Sequence, residues 1–256
     1  MEEVTKARIP RDVRIIRPDS STSTVKTPHQ QFPALLAMLS AGCNVWLAGP
    51  AASGKTTAGE QCAEALGVPF YSCGAITYEE KLTGFRTADG STIRTEFREA
   101  WEHGGVFLWD EIDGSDANAV LPFNAALSAG YHPFPDAKIR RHKDCYLIAA
   151  ANTWGHGGTF EYVGRLKQDA AFMDRFQMLA WDYDPAIEEQ CGNAEWVAIV
   201  RSYRAKIAAK GIKVMVTPRA SFAGAKLLAA GVDMPTVINV TIRKGTTAEQ
   251  WSAINA

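Results

Sequence analysis

Gly49-Pro50-Ala51-Ala52-Ser53-Gly54-Lys55-Thr56-Thr57 lies between an apolar run, residues 44–48 (NVWLA), and a stretch rich in helix formers, residues 57–66 (TAGEQCAEAL). The stretch fits the pattern GxxxxGK[ST], and its flanks supply the context that pattern needs: a buried strand, a glycine turn, then a helix. Such a turn aims several backbone N–H groups, and the positive end of the helix dipole, at one point, which is a site for phosphate. Lys55 then reaches the β- and γ-phosphates of a nucleotide, and the Thr56 hydroxyl is a ligand for Mg²⁺. A chance glycine-rich turn that carries a lysine would explain neither flank.

Working outward, residues 106–109 (VFLW) form a second buried run, and it ends in two adjacent carboxylates, Asp110 and Glu111. Ligands of open α/β sheets lie beyond the carboxyl ends of the strands. There Asp110 can hold Mg²⁺ through its water shell, and Glu111 can polarise an attacking water. Alone the two acids would read as a solvated strand end; downstream of the glycine loop they read as a metal-and-water apparatus. Residues 146–151 (YLIAAA) make another strand, with Asn152 placed to hydrogen-bond the water or the γ-phosphate. Residues 68–72 (VPFYS) and 177–181 (QMLAW) complete the set. The expected fold is α/β, a P-loop core on a parallel five-stranded sheet with a small C-terminal helical lid.

The remainder is less specific. Residues 1–28 carry Pro10, Pro18 and a Ser/Thr cluster, and suggest an arm that is irregular or ordered only by a partner. Residues 29–41 place Phe32, Leu35, Leu36 and Leu39 on one helix face, with Gly42 as the stop. His29 reads as a surface residue at that helix start, the other reading being a cover for adenine. Residues 78–98 contain Asp89-Gly90, a hairpin-turn signal, and form either a solvated rim or a loop that touches a substrate. Residues 130–143 (GYHPFPDAKIRRHK) form a basic, aromatic loop, either a solvated charge run or, with several copies around a channel, a ring of positive charge. At residues 182–185 (DYDP) the composition changes into a helical unit. In it Trp196, Ile199, Val200 and Tyr203 mark one amphipathic helix, and Thr217-Pro218 starts another. Arg219, in the first turn of that helix, opposes the dipole, a placement that makes sense if the guanidinium meets an anion. The expected division is an arm (1–28), an ATPase core (29–184) and a lid (185–256).

Composition sets outer bounds. The formal charge of −1 over 256 residues excludes a global basic excess that would draw the chain to nucleic acid or an anionic membrane, though a local basic loop is hidden by that sum. The five cysteines (Cys43, Cys62, Cys73, Cys145, Cys191) are scattered and never form a C-x-x-C pair, so they read as free thiols in a reducing compartment. Residues 1–14 lack the apolar core of a signal peptide and no run of about eighteen apolar residues exists, which predicts a cytoplasmic protein with no membrane partner.

In order and spacing, GPAASGKTT, LTGF, FLWDEID, AAANTWG, YVGR, DAAFMDRF and TPRA resemble the motifs of the MoxR-type AAA+ ATPases, above all the branch that contains the cobaltochelatase motor subunit and its bacterial and phage-encoded relatives. The likeness covers residues 28–228. It implies ATP and Mg²⁺ as cofactors, Lys55 and Thr56 as the P-loop pair, Asp110 and Glu111 as metal and water residues, and Asn152 as the γ-phosphate sensor. It also implies that Arg175 is an arginine finger for the neighbouring subunit and Arg219 a second sensor on the lid, with Arg165 a competing candidate for the finger. Residues 78–98 and 130–143 would face a central pore. The implied assembly is a hexameric ring that remodels a protein partner, in chelatase-like members one with a von Willebrand A domain. A nucleic-acid motor or loader, and a scaffold that binds nucleotide without turnover, stand as rival readings.

Overall fold

The computed structural model describes residues 11–17 and 20–256. In chain order, β1 (Val13–Ile16) and β2 (Thr22–Val25) form an antiparallel hairpin. Next come α1 (Phe32–Ser40), β3 (Val45–Ala48), α2 (Lys55–Leu66) and β4 (Phe70–Cys73). A helical turn, α3 (Glu80–Thr83), and a small hairpin of β5 (Phe85–Arg86) and β6 (Thr92–Ile93) precede α4 (Glu96–His103) and β7 (Gly105–Trp109). Then follow α5 (Ala117–Ala129), a hairpin of β8 (Tyr131–Pro133) and β9 (Lys138–Arg140), β10 (Cys145–Ala151), α6 (Ala170–Met173) and β11 (Gln177–Ala180). The C-terminal helices are α7 (Pro185–Glu188), α8 (Ala194–Ala209), α9 (Pro218–Ala229), α10 (Met234–Ile238) with a π-helical turn after it, and α11 (Ala248–Asn255).

The central sheet has the order β11-β3-β10-β7-β4, and every neighbouring pair is parallel. Its inner strands are covered on both faces, which is why they read as unbroken apolar runs instead of alternating ones. Successive side chains still point to opposite sides. Val45, Leu47, Val106, Leu108, Ile148 and Ala150 pack with Phe32, Leu35 and Leu39 of α1 and Ala58 and Cys62 of α2. Trp46, Phe107, Trp109, Leu147 and Ala149 pack on the other face with Phe97 and Trp101 of α4 and Phe123 of α5. β3 sits between β10 and β11, although the chain leaves it for β4 at the far edge. That reversal brings the carboxyl ends of β3, β10 and β7 together, the place where open α/β sheets bind ligands.

Three expectations need correction. The basic segment 130–143 is a hairpin. Tyr131, Pro133, Lys138 and Arg140 point outward and His132 inward, so the residues alternate as strands do. Its turn is pinned by Arg98, only 2% exposed, whose guanidinium binds both oxygens of Asp136, bonds Glu102 at 3.2 Å and lies 5.0 Å from the Phe134 ring centre. The described part of the arm is ordered by its own chain: Arg17 donates to Ala65 O (2.9 Å) and Glu64 O (2.6 Å) in the last turn of α2, and Arg11 pairs with Asp184 at 2.7 Å. Cations favour that end of a helix because its carbonyls lack partners. Residues 1–10, which the arm reading also covered, lie outside the described residues. Finally, His29 is not at the surface. It is 3% exposed, stacks on Trp181 with centroids 4.0 Å apart, donates from Nε2 to Asp182 O and accepts at Nδ1 from the Gln31 amide. Burial lowers its pKa, which favours this neutral tautomer.

The hairpin expected around Asp89-Gly90 is present as β5–β6, with Gly90 at φ +85° in its turn. Thr217 caps α9, accepting from the Arg219 amide, and Pro218 occupies its first turn. Among the described residues no helix is long and apolar enough to cross a membrane.

Candidate nucleotide-binding cleft

The glycine loop leaves β3 under tight constraint. A Cβ on Gly49 would lie 2.0 Å from the Trp181 carbonyl oxygen, so only glycine lets the loop pass beside the exit of β11. Ala52 (φ +64°) and Gly54 (φ +88°) both adopt the left-handed conformation, which costs a residue with a Cβ about 1 kcal/mol or more and collects at functional sites. α2 begins at Lys55, so its free amides face the loop.

Lys55 is 7% exposed. Its Nζ donates to Gly49 O (2.8 Å), Pro50 O (2.9 Å) and Asn152 Oδ1 (3.2 Å). Burial, offset in part by the charges of Asp110 and Asp113, brings its pKa down to about 8. The neighbouring Thr56 hydroxyl donates to Asp110 Oδ2 at 2.9 Å. Asp110 follows β7 directly, and its other oxygen accepts from the Glu111 amide at 2.9 Å. Glu111 itself sits at φ +52° with more than half of its side chain exposed.

These groups line a cleft of about 460 Å³ between the sheet and the C-terminal helices. Ala51 to Thr57, Asp110, Glu111 and Asn152 form one wall; Tyr183, Ile187, Arg219 and Phe222 belong to the other. Gly49 and Pro50 contribute their carbonyls behind Lys55. Every residue expected at the site is therefore at or beside one cleft, with one exception. Arg175 donates to Asn124 O and Ser128 Oγ of α5, each at 3.0 Å, and to Ala171 O, so it is directed away from this chain's own cleft.

Three residues were not singled out by the sequence reading. Asp113 is fully buried, and its Oδ2 accepts from the Asn152 amide (3.0 Å), the Thr153 amide (3.0 Å) and the Thr153 hydroxyl (2.9 Å). It thereby fixes the end of β10, where Asn152 stands. Two tyrosines hold one peptide of the glycine loop: the Tyr162 hydroxyl accepts from the Ala51 amide (2.9 Å), and the Tyr183 hydroxyl donates to the Ala51 carbonyl (3.2 Å). The only available signal for Asp113 was a third acid in the run Asp110-Glu111-Ile112-Asp113, with an apolar residue before it. Tyr162 stands in the motif YVGR and Tyr183 in the stretch DYDP, but neither stretch by itself points to the glycine loop.

No family model matches the chain, and no curated protein matches it in sequence. Solved structures do match in fold. NtrX from Brucella abortus in complex with ATP is 14% identical with a TM-score of 0.51, the match covering 87% of this chain and 53% of that one. A mutant of RuvB from Thermotoga maritima is 16% identical with a TM-score of 0.52, covering 82% of this chain and 66% of that one. The chain thus spans between about half and two thirds of the length of these structures. At such identities the likeness is one of fold alone. The chain shares with them the parallel α/β fold whose sheet order and glycine loop are described above.

Proposed function

We propose that the protein is a Mg²⁺-dependent ATPase of the MoxR and cobaltochelatase-motor kind, which assembles as a ring, hexameric in that family, and uses hydrolysis to remodel a protein partner. The observation that carries the hydrolytic reading is the convergence of Lys55, Thr56, Asp110 and Asn152 within hydrogen-bond reach at the N-terminus of α2. A triphosphate laid on the loop amides would take over Lys55 from the carbonyls of Gly49 and Pro50. The Thr56 hydroxyl and the Asp110 carboxylate, hard oxygen donors already 2.9 Å apart, would hold Mg²⁺, whose charge would offset that of the phosphates. Asn152 orients the γ-phosphate or the water, Glu111 takes the proton from that water, and Arg219 approaches the phosphates from the lid. Arg175, directed away from its own cleft, acts on the site of a neighbouring copy, an effect worth about 10³–10⁵ in rate for arginines of this type. The division into arm, core and lid follows the same reading.

Glu111→Gln is expected to keep ATP binding and lose hydrolysis by about 100-fold or more. Full turnover by that variant, or full turnover by a protein that stays monomeric with ATP, overturns the reading. Held in ATP, the same variant should retain its client, and capture of a folded protein domain from purified candidates, beginning with a von Willebrand A domain, tests the remodelling part.

One observation favours a second reading, a nucleic-acid motor. On the exposed face of β8–β9, Lys138 Nζ and the Arg140 guanidinium lie 5.2 and 5.7 Å from the centre of the Tyr131 ring. Aromatic faces beside cations bind single strands by stacking and charge. That reading predicts hydrolysis stimulated by single-stranded nucleic acid and binding that falls steeply with salt.

A further inference from the structure

Arg165 lies in the segment between β10 and α6, and its side chain is 15% exposed. One guanidinium nitrogen bonds Glu111 Oε1 at 3.2 Å, and another lies 3.5 Å from Asp113 Oδ1. Asp113 Oδ1 is buried and has no hydrogen-bond donor among the described residues, so this ion pair compensates its charge. The flanking backbone is stapled to the end of β7: the Leu166 amide donates to Asp113 O (2.6 Å), and Gln168 Nε2 donates to Ser115 O (3.0 Å). Three residues before Arg165, the Tyr162 hydroxyl holds the Ala51 amide of the glycine loop. A guanidinium engaged on two carboxylates at its own chain's cleft, on a segment fixed at both sides, is placed to act there.

We propose that Arg165 is a positioning residue that acts within its own subunit, holding the Glu111 carboxylate for its work on the attacking water; this rests on the reading of Glu111 as the base. Glu111 needs such a hold. Its backbone is left-handed, a conformation that persists only when its surroundings impose it, and more than half of its side chain faces solvent. Arg165 takes Oε1, while Oε2 makes no polar contact among the described residues and is left to accept a proton. Through Asp113, the same guanidinium is tied to the amides of Asn152 and Thr153, so base and sensor share one anchor. Without the cation, Glu111 and Asp113 would be like charges with nothing between them, and the exposed carboxylate would turn toward water.

The test combines kinetics with mixed assemblies. Arg165→Ala is expected to lower kcat roughly 10- to 100-fold, part of the roughly 10²- to 10⁴-fold a general base contributes, with KM for ATP and affinity for ADP within about twofold of wild type. Arg165→Lys, which keeps the charge and suits the case in which the alanine variant does not fold, is expected to recover part of that loss. Arg165→Ala subunits mixed with excess Glu111→Gln subunits should stay inactive, because no subunit then carries both groups. Arg175→Ala mixed with Glu111→Gln is the control and should regain activity. Recovery in the Arg165→Ala mixture overturns the proposal, as does unchanged kcat in Arg165→Ala, or a loss of ADP affinity that matches the loss of kcat. Failure of the Arg175 control counts against the ring, while the kinetic split still decides on Arg165. An inactive wild type counts against the hydrolytic reading itself.

Discussion

Asp113 and His132 are both fully buried, yet their surroundings are opposite. Asp113 receives three hydrogen bonds and faces Arg165. Among the described residues His132 has no hydrogen-bond partner at either ring nitrogen; it is boxed by Phe97, Trp101, Phe123 and Phe134, with Phe134 at 4.8 Å between centroids. Burying a charge is costly unless it is paired, and a buried polar group without partners loses its water for nothing in return. The pairing around Asp113 joins the cleft to the strand ends. His132 stays neutral and acts as a flat aromatic filler, and burial pushes its pKa down to about 4.

Removing the paired group should have the larger effect. Asp113→Ala leaves Arg165 and the end of β10 without their acceptor. It is expected to cost about 3–5 kcal/mol in urea unfolding and to abolish hydrolysis. If the midpoint moves by less than 1 kcal/mol, roughly the scale of a surface pair, the network around Asp113 is not what holds the strand ends.

The unpaired group should show itself through acid. A His that ionises near 6.5 when unfolded and at about 4 when folded adds nothing to the pH dependence above 6.5. Between those values only the unfolded chain takes up the proton. Stability is therefore lost as pH falls, by on the order of 3 kcal/mol by pH 4, and no further loss from this group occurs below that. His132→Phe should remove this part of the acid slope, which a comparison of unfolding free energies at pH 7 and pH 4.5 would reveal.

Lys55 is the intermediate case, a buried cation whose partner is to arrive with the ligand. With its pKa at about 8 when the cleft is empty, and higher beside phosphates, nucleotide binding should take up a proton at alkaline pH. ADP is expected to bind roughly tenfold more weakly at pH 9 than at pH 7, with proton uptake visible by calorimetry in buffers of different ionisation heat. At neutral pH the smallest effect is expected from His132→Phe, a gain of about 1 kcal/mol from losing two unsatisfied nitrogens at nearly constant shape. A destabilised His132→Phe protein would mean that the imidazole has a role its packing does not show.

The parts of the molecule that could be read from the sequence are those encoded locally. Val45–Ala48, Gly105–Trp109 and Cys145–Ala151 are apolar runs because both faces of the strand are covered, and the glycine loop carries its phosphate chemistry in consecutive residues. Other features depend on distant partners. His29 is buried by Trp181, 152 positions away, and Arg165 finds Glu111 across 54. The β8–β9 hairpin reads as a loop because its prolines and cations suit one, and Arg98 on α4, the inward His132 and the buried Phe134 make it a packed element. Pairings of that kind have no periodicity for a single sequence to display.

One glycine of the lid has a mechanical consequence. At Gly224 of α9 a Cβ would fall 2.2 Å from the Trp196 indole of α8, and the Trp196 Nε1 donates to Ala220 O at 3.1 Å. Glu188 adds a second lock, bonding Arg201 and Arg204 of α8 and Ser221 of α9. The two helices are keyed together like tongue and groove. If Arg219 meets the phosphates as proposed, a displacement of α9 would carry α8 with it.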